Sequence, residues 1–315
     1  MTGGPDTPFG SRARIAAEGA RAATLGSLER QPTRVRITNR IFRGVLFGAI
    51  VVALIGLIAL LVDAFIEGES RLSLSLITDS TSRIADQAGF RQAILGSLWL
   101  VGLMVLMVVP LGVGAALYME EYGSRESRLN RLIEVNIQNL AAVPAIVYGI
   151  LGLAFIVRGP ISLGFMLFAG SITLTLLVLP TVIIAAREAI RAVPPSIREG
   201  SLALGATQWQ TIRHQVLPAA LPGILTGVIL AVSRALGEAA PLLLFGAAVF
   251  VTTDPQPFNP DAGWTALPVQ IFNLAADPQA ELRELAAAGI IIMLVVLVLM
   301  NSFAIWLRNR YEQRW

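Results

Sequence analysis

Leu221-Pro-Gly-Ile-Leu-Thr-Gly-Val-Ile-Leu-Ala-Val-Ser-Arg-Ala-Leu-Gly-Glu-Ala-Ala-Pro-Leu-Leu-Leu-Phe245 carries two charges, Arg234 and Glu238, in an otherwise apolar or small-residue run. A run of this length and composition reads as a helix that crosses a bilayer. A charge at the centre of such a helix costs roughly 2.5–3.5 kcal/mol, so both groups must face other protein or a water-filled path. Their spacing of four places them on one helix face, where they can neutralise each other. One reading is a buried ion pair that fixes helix orientation. The other is a substrate-pathway or gating pair, in which the planar guanidinium fork of Arg234 suits an anion. Beside them Gly223, Gly227, Ala231, Ala235 and Ala239 put a small residue at every fourth position, a seam that admits a second helix and serves a homodimer as well as a heterodimer.

Working outward, the pattern recurs. Apolar runs fall at 44–62, 93–118, 140–157, 164–186, 223–251 and 285–307, predicting an all-α membrane protein with six transmembrane helices. The composition agrees: 55% of the 315 residues are hydrophobic and 14% charged, against about 25% charged in soluble domains. Mean hydropathy is +0.69. All 24 basic residues are Arg, which excludes Schiff-base chemistry and the Lys of a phosphate-binding P-loop. With no Cys and a lone His214 there is no thiolate nucleophile and no histidine metal cluster. With a net charge of only +3, the basic pI reflects topology rather than nucleic-acid binding.

With the N-terminus inside, the inner segments hold 18 Arg and the outer segments 5, while acidic residues divide evenly. That asymmetry is the positive-inside bias and puts both termini in the cytoplasm. Residues 1–40 read as a mobile cytoplasmic arm with a short helix over 11–28 as the alternative, 41–310 as the six-helix membrane body, and 311–315 as a cytoplasmic tail. The first run, preceded by 43 residues of largely polar character and followed by Asp63 and Glu67, reads as a retained signal anchor. Pro110 with Gly112 and Gly114, Pro144, Pro180 and Pro241 fall mid-span, and with the Ser171, Thr173 and Thr175 hydroxyls they either line a conduit or serve packing.

Between the fourth and fifth runs, residues 193–218 carry dense helix-end signals. Ser196 with Glu199 and Thr207 with Gln210 both have capping-box spacing, Gly205 stands between them where a helix would end at positive φ, and Pro218 closes the loop. Two short helices meeting at a glycine corner on the membrane face suit docking of a partner.

Glu199, Gly205 and Leu217-Pro218 stand at the positions of the EAA loop of bacterial ABC-importer membrane subunits, with Gly200 and Ser201 in place of its two alanines and Gln215 in place of its isoleucine. Wider stretches resemble the phosphate-importer (PstA-type) permease family: Val109-Pro-Leu-Gly before Tyr118-Met-Glu-Glu-Tyr122, Ala142-Val-Pro-Ala-Ile-Val-Tyr-Gly149, Val193-Pro-Pro-Ser-Ile-Arg-Glu199, Ser233-Arg-Ala-Leu-Gly-Glu-Ala-Ala-Pro241 and Ala266-Leu-Pro-Val-Gln-Ile271. The resemblance implies a type I ABC importer permease fold and a homologous PstC-type permease partner. It further implies two PstB-type ATPase subunits binding the ATP and Mg that this chain does not, and an extracytoplasmic PstS-type phosphate-binding protein. By the same resemblance Leu204, Gly205, Ala206, Thr207 and Gln208 form the coupling helix, shaped by Glu199 and Gly205. An importer of the same architecture for another oxyanion or small polar solute is the alternative. A proton-coupled carrier or intramembrane enzyme is a third reading, with little catalytic material to support it.

Outside, residues 252–284 carry Asp254, Asp261, Asp277, Glu281 and Glu284 against Arg283 alone, an unfavourable field for a free anion. Trp264 and the run Leu267-Pro-Val-Gln-Ile-Phe272 are expected to form a short interfacial helix or gate.

Overall fold

A computed structural model describes residues 33–123, 127–244, 247 and 250–311, with side chains from 38 to 310. The arm and its alternative helix therefore lie outside the described residues up to position 32, as does the tail from 312. Among the described residues the regular elements are all helical. They are α1 (Thr33–Gly68), α2 (Ser75–Thr78), α3 (Arg91–Leu117), α4 (Arg128–Ala141), α5 (Ala145–Leu151), α6 (Leu167–Arg191), α7 (Pro195–Ala203), α8 (Gln208–Thr211), α9 (Leu217–Leu236), α10 (Ala240–Leu244), α11 (Leu267–Ala275) and α12 (Ala280–Tyr311). Turns of π-helix follow α3 (Tyr118–Tyr122), α5 (Gly152–Val157) and α8 (Ile212–Val216).

The chain divides into two units, Met1–Asp63 and Ala64–Trp315. In the first, α1 presents exposed Ile41, Phe47, Val52 and Leu60, a surface that suits lipid because a bilayer has no hydrophobic penalty to relieve. The second unit holds the rest of the fold. Five helices are long and apolar enough to cross a membrane, or six spans if a bent pair is taken as one.

That bent pair corrects the third expected span. Residues 140–157 do not make one helix: α4 ends at Ala141, α5 begins after Pro144, and their axes differ by 103°. Pro144 disfavours helical backbone at the preceding residue, so it starts a helix rather than kinking one. α4 turns Ile133 and Ile137 onto Met119 and Ile183. α5 with its π-turn covers 145–157, about 20 Å, short of a hydrocarbon core of about 30 Å.

The fifth expected span is also broken. α9 stops at Leu236 with Gly237 as its cap, and Pro241 lies in the separate helix α10. At the other end the helix continues through Pro218 instead of closing there, since Gln208–Leu236 is one span. The π-turn at Ile212–Val216 widens the backbone just before Pro218, which tolerates a ring that donates no hydrogen bond.

α6 is the axis of the bundle, with Leu174, Val182, Ala186 and Ile190 buried between Leu100, Met104 and Val108 of α3 and Ile224, Val228 and Ala231 of α9. The hydroxyls of Ser171, Thr173 and Thr175 are buried and bond back to Leu167, Ala169 and Ser171 carbonyls. In this conformation they serve packing and line no conduit.

The small-residue seam is used inside the chain. A Cβ on Gly223 would stand 2.8 Å from the Ala189 Cβ, and one on Gly227 would collide with Ala185, both on α6; Ala231 and Ala235 are buried along the same line. The seam is thus not a free subunit interface. Gly227→Leu is expected to destabilise the fold by about 1–3 kcal/mol through overpacking, read as a lower Tm of the purified protein. Gly102→Ala on α3, with nothing within 4 Å of its added methyl, is the control that does not lower Tm.

At the end of the bundle opposite α7 and α8, polar contacts weld the connecting segments together. The Thr81 hydroxyl donates to the Val251 carbonyl and accepts from its N–H, Trp264 Nε1 donates to the Phe165 carbonyl, and Ser97 accepts from the Leu267 N–H. The helix expected near Leu267 is present as α11, but Leu267, Val269, Gln270 and Leu274 are buried, so it is a core element more than an interfacial one. The acidic segment is also less bare than its own sequence implies, because Arg91 pairs with Asp254 at 2.7 Å and Arg71 bridges Asp86 and Glu284.

Candidate functional site

α7 and α8 form the projecting corner expected between the fourth and fifth runs. Gly205 has φ +86°, its N–H bonds the Leu202 carbonyl and the next N–H bonds the Ser201 carbonyl, a double bond pattern that ends α7 with a left-handed residue. Thr207 then starts α8 with a formed capping box to Gln210. The Ser196–Glu199 box is not formed. Pro194 and Pro195 start α7 instead, and Pro195 at the first position has no N–H to be capped. Glu199 is exposed, while Leu217 and Pro218 are half-buried in the stem below.

The corner is apolar where it projects. Leu204 is 91% exposed, with Leu202, Trp209 and the polar Thr207 and Gln208 exposed beside it, and Ala206 half-buried behind. Ser201 and Thr211 hydroxyls bond at 2.9 Å and hold the two helices together. His214 is exposed, its Nδ1 3.1 Å from the Gln210 carbonyl.

Arg234 and Glu238 stand elsewhere. Arg234 occupies the last turn of α9, where the free carbonyls of a helix C-terminus favour a cation, and Glu238 lies in the turn beyond. They are not deep in a continuous helix as their sequence suggested, because Gly237 ends it. The Arg234 side chain is 66% exposed and its Nε is 3.5 Å from Glu238 Oε1, at the outer limit of a hydrogen bond. This is a loose pair and not a buried one. Arg234 reaches the rim of a crevice that it shares with Ala141, Val143, Ala145, Val178 and Thr181, where the α4–α5 break meets α6. The crevice holds about 20 Å³, room for one water.

A third cluster was not singled out from the sequence. Glu120 and Glu121, in the π-turn after α3, are both buried, and three arginines converge on them. Arg187 and Arg191 of α6 reach Glu120 at 2.8 and 2.7 Å. Arg198 of α7 reaches Glu121 at 2.8 Å and also donates to the Val193 and Ile190 carbonyls. In the sequence Glu120 and Glu121 stand inside the family-like stretch Tyr118–Tyr122 and Arg198 inside Val193–Glu199, but nothing local pairs the two stretches or gives the charges a role.

Residues 108–314 match the family described as the binding-protein-dependent transport system inner membrane component. The chain belongs to this family. It is 33% identical over 287 residues to a probable ABC transporter permease protein, YqgI, of Bacillus subtilis, covering 86% of this chain and 95% of that protein. It is also 35% identical to the phosphate transport system permease protein PstA of Yersinia pestis, covering 85% and 89%, and 32% identical to that of Haemophilus influenzae, covering 84% and 92%. Two solved structures share the fold. An importer of the acidic polysaccharide alginate matches with TM-score 0.56 at 17% identity over 88% of this chain and 100% of that one, and the MetNI methionine ABC transporter with TM-score 0.53 at 19% identity over 71% and 95%. This family member is therefore a multi-pass inner-membrane component of an ABC transporter with a type I importer permease fold.

Proposed function

We propose that this chain is a permease subunit of an ATP-driven importer of inorganic phosphate, working by alternating access. The observation that carries the reading is the projecting corner, an exposed apolar tip with Leu204 at its end on a rigid, fully capped turn. An apolar tip so exposed is a docking knob for a protein groove. The ATPase fills that role, since a chain without Lys has no P-loop of its own and hydrolysis falls to a partner. The Arg excess of the inner segments supports a cytoplasmic position for the corner and for both termini.

The phosphate assignment is supported by the names of the relatives and by Arg234. A guanidinium exposed on a membrane helix cannot face lipid cheaply. It faces a homologous permease subunit or the aqueous path between the two, where its fork can hold an oxyanion. The crevice at Arg234 is too small for phosphate, so passage requires the helices around it to separate, which is the movement that alternating access supplies. The full machine then comprises this chain, its permease partner, two ATPase subunits and an extracytoplasmic phosphate-binding protein that hands over substrate past the acidic outer segment.

The experiment is phosphate uptake in cells lacking their own high-affinity system, with this chain alone or with the full set. ATP-dependent uptake only with the full set, competed by excess phosphate and not by sulfate, is expected. Uptake by the chain alone overturns the ABC mechanism, and competition by sulfate replaces phosphate with a broader oxyanion substrate.

A further inference from the structure

We infer that the carboxylate pair Glu120–Glu121 is the mechanical joint through which displacement of the α7–α8 corner reaches the membrane helices α3 and α6. The inference rests on the importer reading above and adds the route of force transmission to it.

Consecutive residues on a helical turn diverge by about a quarter of a turn, so adjacent carboxylates can face different elements. Glu120 faces α6 and holds Arg187 and Arg191; Glu121 faces the corner and holds Arg198 of α7. A second contact runs in parallel, since the Gln208 side-chain amide of α8 donates to the backbone carbonyl of Glu121. Both helices of the corner are therefore tied to one π-turn at the foot of α3. Arg198 completes the connection, because its donors to the Ile190 and Val193 carbonyls lock α7 to the end of α6. Glu120, Glu121 and Arg187 side chains are at most 8% exposed. The Arg187–Glu120 attraction is therefore little screened by solvent or salt, while Arg191 and Arg198 are 42% and 23% exposed, and a buried pair holds geometry even where its net worth to folding is small. The joint is a single turn of π-helix at the end of α3, a feature frequent at functional sites.

Without this joint, α7 and α8 would still be held to the bundle by their covalent ends, by Ile197 on the core and by the Arg198 bonds to the Ile190 and Val193 carbonyls, but the ion pair and the Gln208 hydrogen bond that tie the corner to the foot of α3 would be gone. Glu121 is a positioning residue, and the variant of choice is Glu121→Gln, since Arg198 keeps its two carbonyl acceptors when the charge is removed.

The test uses proteoliposomes holding the full complex, with the binding protein and radiolabelled inorganic phosphate on the side opposite the ATP, and reads uptake and hydrolysis on the same vesicles. Wild-type vesicles lacking ATP-dependent uptake would overturn the importer reading itself, a failure visible before any variant is compared. Glu121→Gln is expected to assemble with its ATPase subunits, to hydrolyse ATP within about twofold of wild type and to carry at least tenfold fewer phosphates per ATP. Glu121→Asp, which keeps the charge, is expected to recover to within threefold. An unchanged phosphate-to-ATP ratio in Glu121→Gln overturns the inference, and so does loss of ATPase copurification, which would assign these ion pairs to holding the fold alone.

Discussion

Arg234→Gln is expected to reduce phosphate uptake by about ten- to a hundredfold while leaving assembly of the complex intact. The size follows from one charge-assisted hydrogen bond to substrate, about 1.5–3 kcal/mol, at about 1.4 kcal/mol per factor of ten. Assembly should survive because the side chain is 66% exposed and, among the described residues, its polar partner is Glu238 at 3.5 Å. Exposed pairs of this kind contribute about 0–1 kcal/mol. Gln keeps some donor capacity, so the variant isolates the charge and the fork. Uptake by transport assay and copurification of the other subunits are measured together. Lost assembly would return Arg234 to the role of a structural pair, and recovery of uptake in the double variant Arg234→Gln, Glu238→Gln would show that the two act as a pair.

Gly205→Pro is the second large effect, expected to lower uptake to about a tenth or less with normal membrane insertion and continued ATP hydrolysis. Proline fixes φ near −65° where Gly205 stands at +86°, removes the N–H that bonds the Leu202 carbonyl, and pushes Leu204 from its present φ −79°, ψ 3° towards extended backbone. The knob at Leu204 is thereby displaced. Nothing lies within 4 Å of the position a Gly205 Cβ would take, so the damage stays in the corner and the bundle below is unaffected. Gly205→Ala is the graded companion, with a left-handed backbone penalty of about 1–2 kcal/mol and no lost hydrogen bond. Uptake at wild-type rate in Gly205→Pro would remove the corner from the coupling path.

The two variants probe parts of the chain that differed in how readable they were. The corner was legible because capping is local: Thr207 with Gln210 and a glycine between two short helices need only neighbours within a few residues. The Ser196–Glu199 spacing misled for an equally local reason, since Pro195 pre-empts the first turn. Arg234 was legible as a costly charge, but its setting was not. Hydropathy averages over a window, so it ran one span through Gly237 and another through Pro144, where the backbone breaks.

By itself the sequence determined that the chain is all-helical and membrane-spanning, which segments carry the Arg excess and where the projecting corner lies. Each of these follows from composition, periodicity or contacts a few residues apart. Only the tertiary structure decided that the glycine seam of α9 is filled by Ala185 and Ala189, that Arg71 and Arg91 offset the acidic outer segment, and that Glu120 and Glu121 gather three arginines from 67 to 77 residues away. The physical reason is common to all three. A small residue or a charge states a need for a neighbour, and which neighbour meets it is settled by how the helices pack.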